Sequence, residues 1–311
     1  MELVSVIMPA YNAAPYIGVA IESIISQTHS NWELLIADDG STDNTREIIE
    51  KYDDDRIRLY HNNNNQGNLK TVNRLFAMTS GDYIAIQDAD DWCDASKLEV
   101  QLQAFRDHRG IDVCGTQSVK LDNEGKVLKR SDFPLTHEGI TKFIPEDYTF
   151  TSASVMIRRN VYLEIGGFNE YFDRRGGADW YWMLLILERF KMLNVSQHLY
   201  FYRYNPASIT NSKPSNSLNY TVGRVIAFLY HQRKKYGNDG ISGGDNSLKR
   251  QLEEFENKLT RLYIMDPLLL EREYLVRLCT QGHYYKGGIS LISNFLRGPL
   301  LFFKWLLNKL K

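Results

Sequence analysis

Three carboxylates crowd four positions at Asp88-Ala89-Asp90-Asp91, and no lysine or arginine follows within the next five residues. Like charges held that close disfavour one another's ionised form and call for a cation. Hard divalent ions such as Mg²⁺ or Mn²⁺ take oxygen ligands, commonly one or two carboxylates together with substrate phosphates. The same string also reads as a solvated acidic turn capping a helix that starts near Asp94 or Ser96. Its place directly after the apolar run 83–87 favours the binding role. A second cluster, Asp38-Asp39-Gly40-Ser41-Thr42-Asp43, also follows an apolar run. Ser41, Thr42 and Asp43 suit a turn and a helix N-cap, which leaves two carboxylates at the run's end without a task. An aspartate there can accept from a nucleobase N–H. Pro9-Ala10-Tyr11-Asn12 closes a third run.

The elements that must position these clusters repeat one rhythm. Short β-rich runs at 3–8, 32–37, 56–61 and 83–87 alternate with helical patterns at 14–27, 42–51, 69–78 and 97–106. Apolar strands alternating with helices predict an α/β domain with a largely parallel sheet. In such sheets the ligand sits beyond the carboxyl ends of the strands, which is where all three clusters fall. From 112 to 202 the pattern is mixed, with strands at 113–121, 154–157 and 194–202 and helices at 159–165 and 179–190. A polar loop spans 205–217. The rest reads as helical, with a flexible break at 236–244 and an apolar stripe of Leu248, Leu252, Phe255, Leu259 and Leu262. The expected division is a sheet domain over 1–212 and a helical region over 213–311.

Composition excludes several classes. Of 311 residues 43% are hydrophobic, enough for a sizeable core. Lys+Arg number 37 and Asp+Glu 38, so a net charge of −1 gives no reason to expect nucleic acid as a partner. Cys93, Cys114 and Cys279 are widely spaced, which argues against a disulfide framework or a structural zinc site. The seven histidines show no metal-ligand spacing. Neither a signal peptide nor a spanning helix is expected. The expected location is the cytoplasm, either free or peripherally on the cytoplasmic face of the inner membrane. Residues 289–311 carry apolar positions edged by Arg297, Lys304, Lys309 and Lys311. They fit either an interfacial segment on a membrane surface or a helix packed on the protein or on a homodimer partner.

Val4-Ser5-Val6-Ile7-Met8-Pro9-Ala10-Tyr11-Asn12, Asp38-Asp39-Gly40-Ser41-Thr42-Asp43 and Asp88-Ala89-Asp90-Asp91-Trp92, in this order and spacing, resemble the three N-terminal signatures of family 2 glycosyltransferases. The resemblance covers residues 3 to about 210. It implies the GT-A fold (Rossmann-like, with a largely parallel central sheet), a helical C-terminal region, a UDP-sugar donor and Mn²⁺ or Mg²⁺. Pro9, Ala10, Tyr11, Asn12, Asp39, Asn73, Asp88 and Ala89 would line the nucleotide pocket, with Asp39 accepting from the uracil N3. The metal would be held by Asp90, Asp88 and Asp91, in a division that stays open. Gly166-Gly167-Phe168-Asn169-Glu170 followed by Asp179 is similar to the family's acceptor segment, where an aspartate opening a helix is the general base. Asp179 also reads as a helix N-cap, and Asp173 is the rival base. Trp180 is the candidate for stacking on an acceptor sugar, and Trp182 reads as core. Two departures stand out. Val72 stands where many members carry an arginine before Asn73, so that any contact from that arginine is lost or passed to Lys70 or Arg74. The string Tyr202-Arg203-Tyr204-Asn205 lacks the family's histidine and leaves Arg203 to serve the phosphates.

The expected activity is inverting transfer of one sugar to a glycan or lipid-linked oligosaccharide during surface polysaccharide synthesis. A sugar nucleotidyltransferase would need a glycine-rich loop after the first strand. A non-catalytic carbohydrate- or partner-binding module would leave Asp39, Asp88, Asp90 and Asp179 without a shared purpose.

Overall fold

The computed structural model describes residues 2–144, 149–204, 218–266 and 268–280, and beyond them 297–299, 302 and 305. The chain divides into two compact units, Met1–Asn211 and Ser212–Lys311.

In the first unit, strands β1 (Val4–Ala10), β2 (Trp32–Asp38), β3 (Ile57–His61) and β4 (Tyr83–Ile86) alternate with helices α1 (Ile17–Ile25), α2 (Thr45–Ile49) and α3 (Asn68–Met78). Every residue of β1, β2 and β4 is buried, as parallel strands covered on both faces require. There follow β5 (Trp92–Cys93), α4 (Lys97–Asp107), β6 (Val113–Leu121), β7 (Val127–Arg130), α5 (His137–Phe143), β8 (Met156–Arg158), α6 (Arg159–Ile165), α7 (Ala178–Leu187) and β9 (Met192–Arg203). The sheet order is β3-β2-β1-β4-β8-β6-β9-β5, with β7 paired to β6. The long ladders are parallel: β1 with β2 and β4, β2 with β3, and β6 with β9. The antiparallel pairings of β8, β5 and β7 are short. This is the α/β fold with a mixed, largely parallel sheet that the sequence predicts. β5, β7 and α5 are additions. All four residues of β7 are exposed, so the strand carries no burial pattern to read.

The amino ends of the central strands are pinned by one carboxylate. Glu33, 5% exposed, accepts from Ser5 Oγ at 2.5 Å, Ser80 N–H at 2.9 Å and Ser80 Oγ at 2.7 Å. Arg58 adds an ion pair at 3.4 Å. Gly81 must be glycine there, because a Cβ would lie 2.6 Å from the Leu3 carbonyl oxygen. Burial works to raise the Glu33 pKa, but the hydrogen bonds and Arg58 outweigh it and hold the carboxyl below its ordinary value of 4.5. The stabilisation is therefore complete above about pH 4.5 and is lost as pH falls through the lowered value. Glu33→Ala should cost about 2–3 kcal/mol, because it strands the buried donors of Ser5 and Ser80. Urea titration at pH 7 checks this, and a cost below about 0.5 kcal/mol would remove Glu33 as the pin.

The second unit contains α8 (Leu218–Tyr236), α9 (Asn246–Met265) and α10 (Leu269–Thr280). Asp245 caps α9 by accepting from the Ser247 and Leu248 N–H groups. Leu248, Leu252, Leu259 and Tyr263 are buried, whereas Leu262 is 43% exposed. The stripe therefore turns onto Tyr263, because buried positions follow the 3.6-residue period. Phe255 stacks on Phe228 of α8 at 4.4 Å. The expected flexible break at 236–244 is instead organised by Asp239, fully buried, which pairs with Arg233 and accepts from the Ile241 and Ser242 N–H groups. Most of 289–311 lies outside the described residues, and so does the reading of that segment as membrane- or partner-facing. Among the described residues no helix is long and apolar enough to cross a membrane.

Candidate active site

The chain reverses its direction of travel across the sheet between β1 and β4. From β1 it steps outward to β2 and β3, then returns to the other side of β1. A crevice at the carboxyl ends of the two strands flanking such a switch point is where open α/β sheets take ligands. Pro9 sits in β1 at no cost, because the β1–β4 ladder ends at Ile7 and Ile86. The missing N–H would have faced a strand that has already diverged. Beyond it, Tyr11 is 47% exposed. Asn12 takes the left-handed conformation (φ 48°), which asparagine tolerates better than most residues. Its N–H donates to Ser41 Oγ at 2.9 Å, and its Oδ1 accepts from the Thr42 N–H at 2.8 Å. Asn12 thus ties the end of β1 to the turn after β2. Pro9, Ala10 and Ala89 are buried.

The Asp88-Ala89-Asp90-Asp91 turn leaves β4 into the same crevice, and its three carboxylates differ in what holds them. Asp91, 1% exposed, accepts from Tyr200 Oη at 2.9 Å and from the Arg203 N–H at 2.8 Å. Each of its oxygens thus accepts one hydrogen bond from β9, which fastens the turn to that strand. Asp88 is pushed up to about 7, chiefly by burial, then by the neighbouring charges of Asp90 and Asp179, with Lys97 opposing. Asp90 is also raised, by burial, and Arg203 works against the shift. Asp179 lies in the first turn of α7, whose N-cap is Gly177 and not Asp179. Burial raises its pKa against hydrogen bonds from the backbone at Trp180 and Asp179 and from the Ser152 side chain. Residues 91 positions apart in the chain thus converge as like charges.

Two cations accompany this cluster: Lys97, not legible as a partner in the sequence, and Arg203, expected there for the phosphates. Lys97, fully buried in the first turn of α4, directs Nζ at the carbonyls of Ile86 (3.3 Å) and Ala153 (3.4 Å). Burial pulls its pKa down, against the attraction of Cys93, Asp88 and Cys114. The available signal was a polar pair, Lys97 and Gln101, spaced four apart on the same face as Leu98, Leu102 and Phe105. Arg203 donates Nε–H to the Asp90 carbonyl at 3.1 Å, and its guanidinium lies over the rings of Trp92 (4.7 Å) and Tyr16 (5.0 Å). Stacking fixes a guanidinium plane at little entropic cost.

Other expected contacts are used differently. Asp39, 3% exposed, accepts from Asn62 Nδ2 (2.7 Å), Gln66 N–H (2.9 Å) and Gly67 N–H (2.9 Å). One lone-pair direction is left for a nucleobase. Asn73 forms a two-way bridge to the Phe168 backbone, at 2.8 and 2.7 Å. It acts as a clasp between α3 and the acceptor segment. Lys70 pairs with Asp173 at 3.6 Å, and Arg74 reaches the His61 carbonyl at 2.9 Å. Trp182 is core, its indole N–H on the Gly166 carbonyl at 2.9 Å. Trp180 is only 8% exposed, with its indole N–H on the Ile144 carbonyl at 2.6 Å, which leaves little ring face for an acceptor.

Among the described residues no group of three histidine, cysteine, aspartate or glutamate side chains forms a metal cage. Asp88 and Asp90 nevertheless fit a hard divalent ion. They are two adjacent oxygen donors kept costly to ionise, and such ions take one or two carboxylates and complete their shell with phosphate and water.

The model of glycosyl transferase family 2 matches residues 5–168. A putative glycosyltransferase, EpsE of Bacillus subtilis, is 33% identical over 227 residues, 72% of this chain and 79% of its own. The Escherichia coli UDP-Glc:alpha-D-GlcNAc-diphosphoundecaprenol beta-1,3-glucosyltransferase WfgD is 45% identical over 100 residues, 32% of this chain and 40% of its own. Residues 1–349 of TarS from S. aureus, solved with UDP-GlcNAc, align with a TM-score of 0.62 at 17% identity, over 90% of this chain and 80% of that one. The matched region runs from β1 through the Asp88 turn to the acceptor segment at Phe168, and on that ground the chain belongs to glycosyl transferase family 2, with the GT-A fold and the sugar-transferring activity of a glycosyltransferase.

Proposed function

We propose that the protein transfers one sugar, with inversion, from a UDP-sugar to a glycan or lipid-linked oligosaccharide in surface polysaccharide synthesis, with Mn²⁺ or Mg²⁺ at Asp88 and Asp90. The observation that carries this reading is the convergence of Asp88, Asp90 and Asp179 in one buried crevice, where burial first and then the charges of Asp90 and Asp179 raise Asp88 to about 7. Two of these carboxylates follow β4 and the third opens α7. That arrangement separates a donor side from an acceptor side. When bound, the ion neutralises the charge growing on the departing diphosphate. Tyr11 offers an exposed ring to the nucleobase, and Asp39 offers its remaining lone pair to the uracil N3. Arg203, whose guanidinium lies over the rings of Tyr16 and Trp92, adds a permanent positive charge two positions before Asn205, which stands where relatives often carry a histidine. Asp179 accepts the proton of the attacking hydroxyl. Its raised pKa makes it a better base than an exposed aspartate, which would be too weak to compete for that proton. WfgD, whose name specifies UDP-glucose and a diphosphoundecaprenol acceptor, supports the donor and acceptor classes.

Calorimetric titration with UDP-, GDP- and dTDP-sugars, with Mn²⁺ and with chelator, tests this. UDP-sugars should bind most tightly, and chelator should weaken the binding of all three, because the ion meets the diphosphate that they share. Equal UDP affinity with and without chelator would remove the metal, and tighter binding of a GDP- or dTDP-sugar would remove the uridine reading.

A further inference from the structure

Asp173 competes with Asp179 for the role of base when only the sequence is read, but its surroundings point elsewhere. Its Oδ2 pairs with Lys70 Nζ of α3 at 3.6 Å. Its Oδ1 is buried without a hydrogen-bond donor and packs on Gly67, where a Cβ would lie 3.2 Å away. Gly67 has φ +95° and donates its N–H to Asp39 Oδ2 at 2.9 Å. The carboxylate at the nucleobase end therefore holds the 62–67 loop, and that loop abuts Asp173. On the other side of Asp173, Arg174 (φ 55°), Gly176 (φ 81°) and Gly177 (φ 75°) all take left-handed conformations, and α7 begins at Ala178. A left-handed arginine is costly and persists only where its surroundings hold it. Arg174 Nη2 also reaches Asn65 of the same 62–67 loop, at 3.5 Å.

We infer that the Lys70–Asp173 ion pair is a positioning device. It fixes the left-handed 174–177 segment against the nucleotide-side loop and so sets where Asp179 stands when donor is bound. Asp173 is then a positioning residue and takes no proton. The inference rests on Asp179 being the base in the reaction proposed above. Lys70 is 47% exposed and Asp173 25%, and a partly exposed ion pair contributes little to global stability, so removal of either charge should leave the chain folded.

The experiment compares Lys70→Met, Asp173→Asn and the double variant. The readouts are steady-state transfer from a UDP-sugar, UDP binding, and backbone hydrogen exchange at 174–178. Each single variant should lower kcat about 10- to 10²-fold, as small misplacements of a reacting group do, with UDP affinity unchanged. The double variant should be no worse than the worse single, because both disrupt one interaction. Exchange at 174–178 should quicken in all three. A large loss in Asp173→Asn with Lys70→Met silent would overturn the inference and make Asp173 act directly. So would multiplying effects, unchanged exchange, or faster exchange with normal kcat. Hydrogen exchange needs no donor, so a wild-type protein that transferred no sugar would refute the functional reading while the ion pair's role was still being measured.

Discussion

Asp179→Asn is expected to lower sugar transfer about 10²–10⁴-fold, the usual cost of losing a general base, while UDP affinity stays at the wild-type value. The amide keeps the size of the side chain. Its oxygen can still accept the backbone N–H bonds at the start of α7, so the helix should form normally. What it cannot do is take a proton at neutral pH. Asp179 touches the donor cluster only through its charge on Asp88, which is why binding should survive the change. Single-turnover rates with calorimetric binding of UDP separate the two effects. The product supplies a second condition, because one base and direct displacement give inversion. A product that retained the donor's anomeric configuration would sink the mechanism, even with the variant inactive.

The Asp88 turn supplies the other large effect. Asp90→Ala should reduce UDP-sugar affinity in Mn²⁺ at least tenfold, about 1.4 kcal/mol, with thermal unfolding of the ligand-free protein unchanged or slightly raised. Asp90 is half-buried and adds to the repulsion on Asp88 and Asp91, so removing it relieves strain in the empty site. Asp91→Ala should do the reverse at the level of folding. It strips partners from buried Tyr200 Oη and the Arg203 N–H, a loss of about 2–4 kcal/mol, and frees the turn from β9. Calorimetric affinity and melting temperature, read for both variants, decide the matter. If Asp91→Ala melted like wild type and lost only metal-dependent binding, Asp91 would return to the role of ligand.

How far the fold was legible follows from what kind of pattern each element carries. β1, β2 and β4 are short apolar runs buried on both faces, and the helices between them repeat apolar residues at helical spacing, so local pattern suffices to place them. α2 is shorter than its predicted 42–51 because the Asp43 carboxylate is used on the Ala14 and Thr45 N–H groups, closing a loop before the helix starts. β5 pairs as two residues with the far end of β9, a contact with no local signature. On α9 the apolar stripe read from the sequence ends on Leu262, whereas Tyr263 is the buried residue. Helix phase, not apolarity, decided burial.

The sequence by itself determined that three acidic or polar clusters terminate strands of one sheet, and hence that they share a crevice. Strand-end position is a local property, and the parallel topology carries it to one edge. Asp179 was reached by another route, the resemblance of its glycine-rich loop and helix start to the family's acceptor segment. Only the tertiary structure decided which carboxylates remain available. Asp91 differs from Asp90 through Tyr200 and Arg203, more than a hundred residues away. Asn73 is taken up by Phe168, 95 residues on, and Lys97 reaches the cluster because α4 packs its polar pair inward. A carboxylate's chemistry depends on the donors, charges and solvent within a few ångströms of it, and those neighbours are brought by elements that the chain order keeps apart.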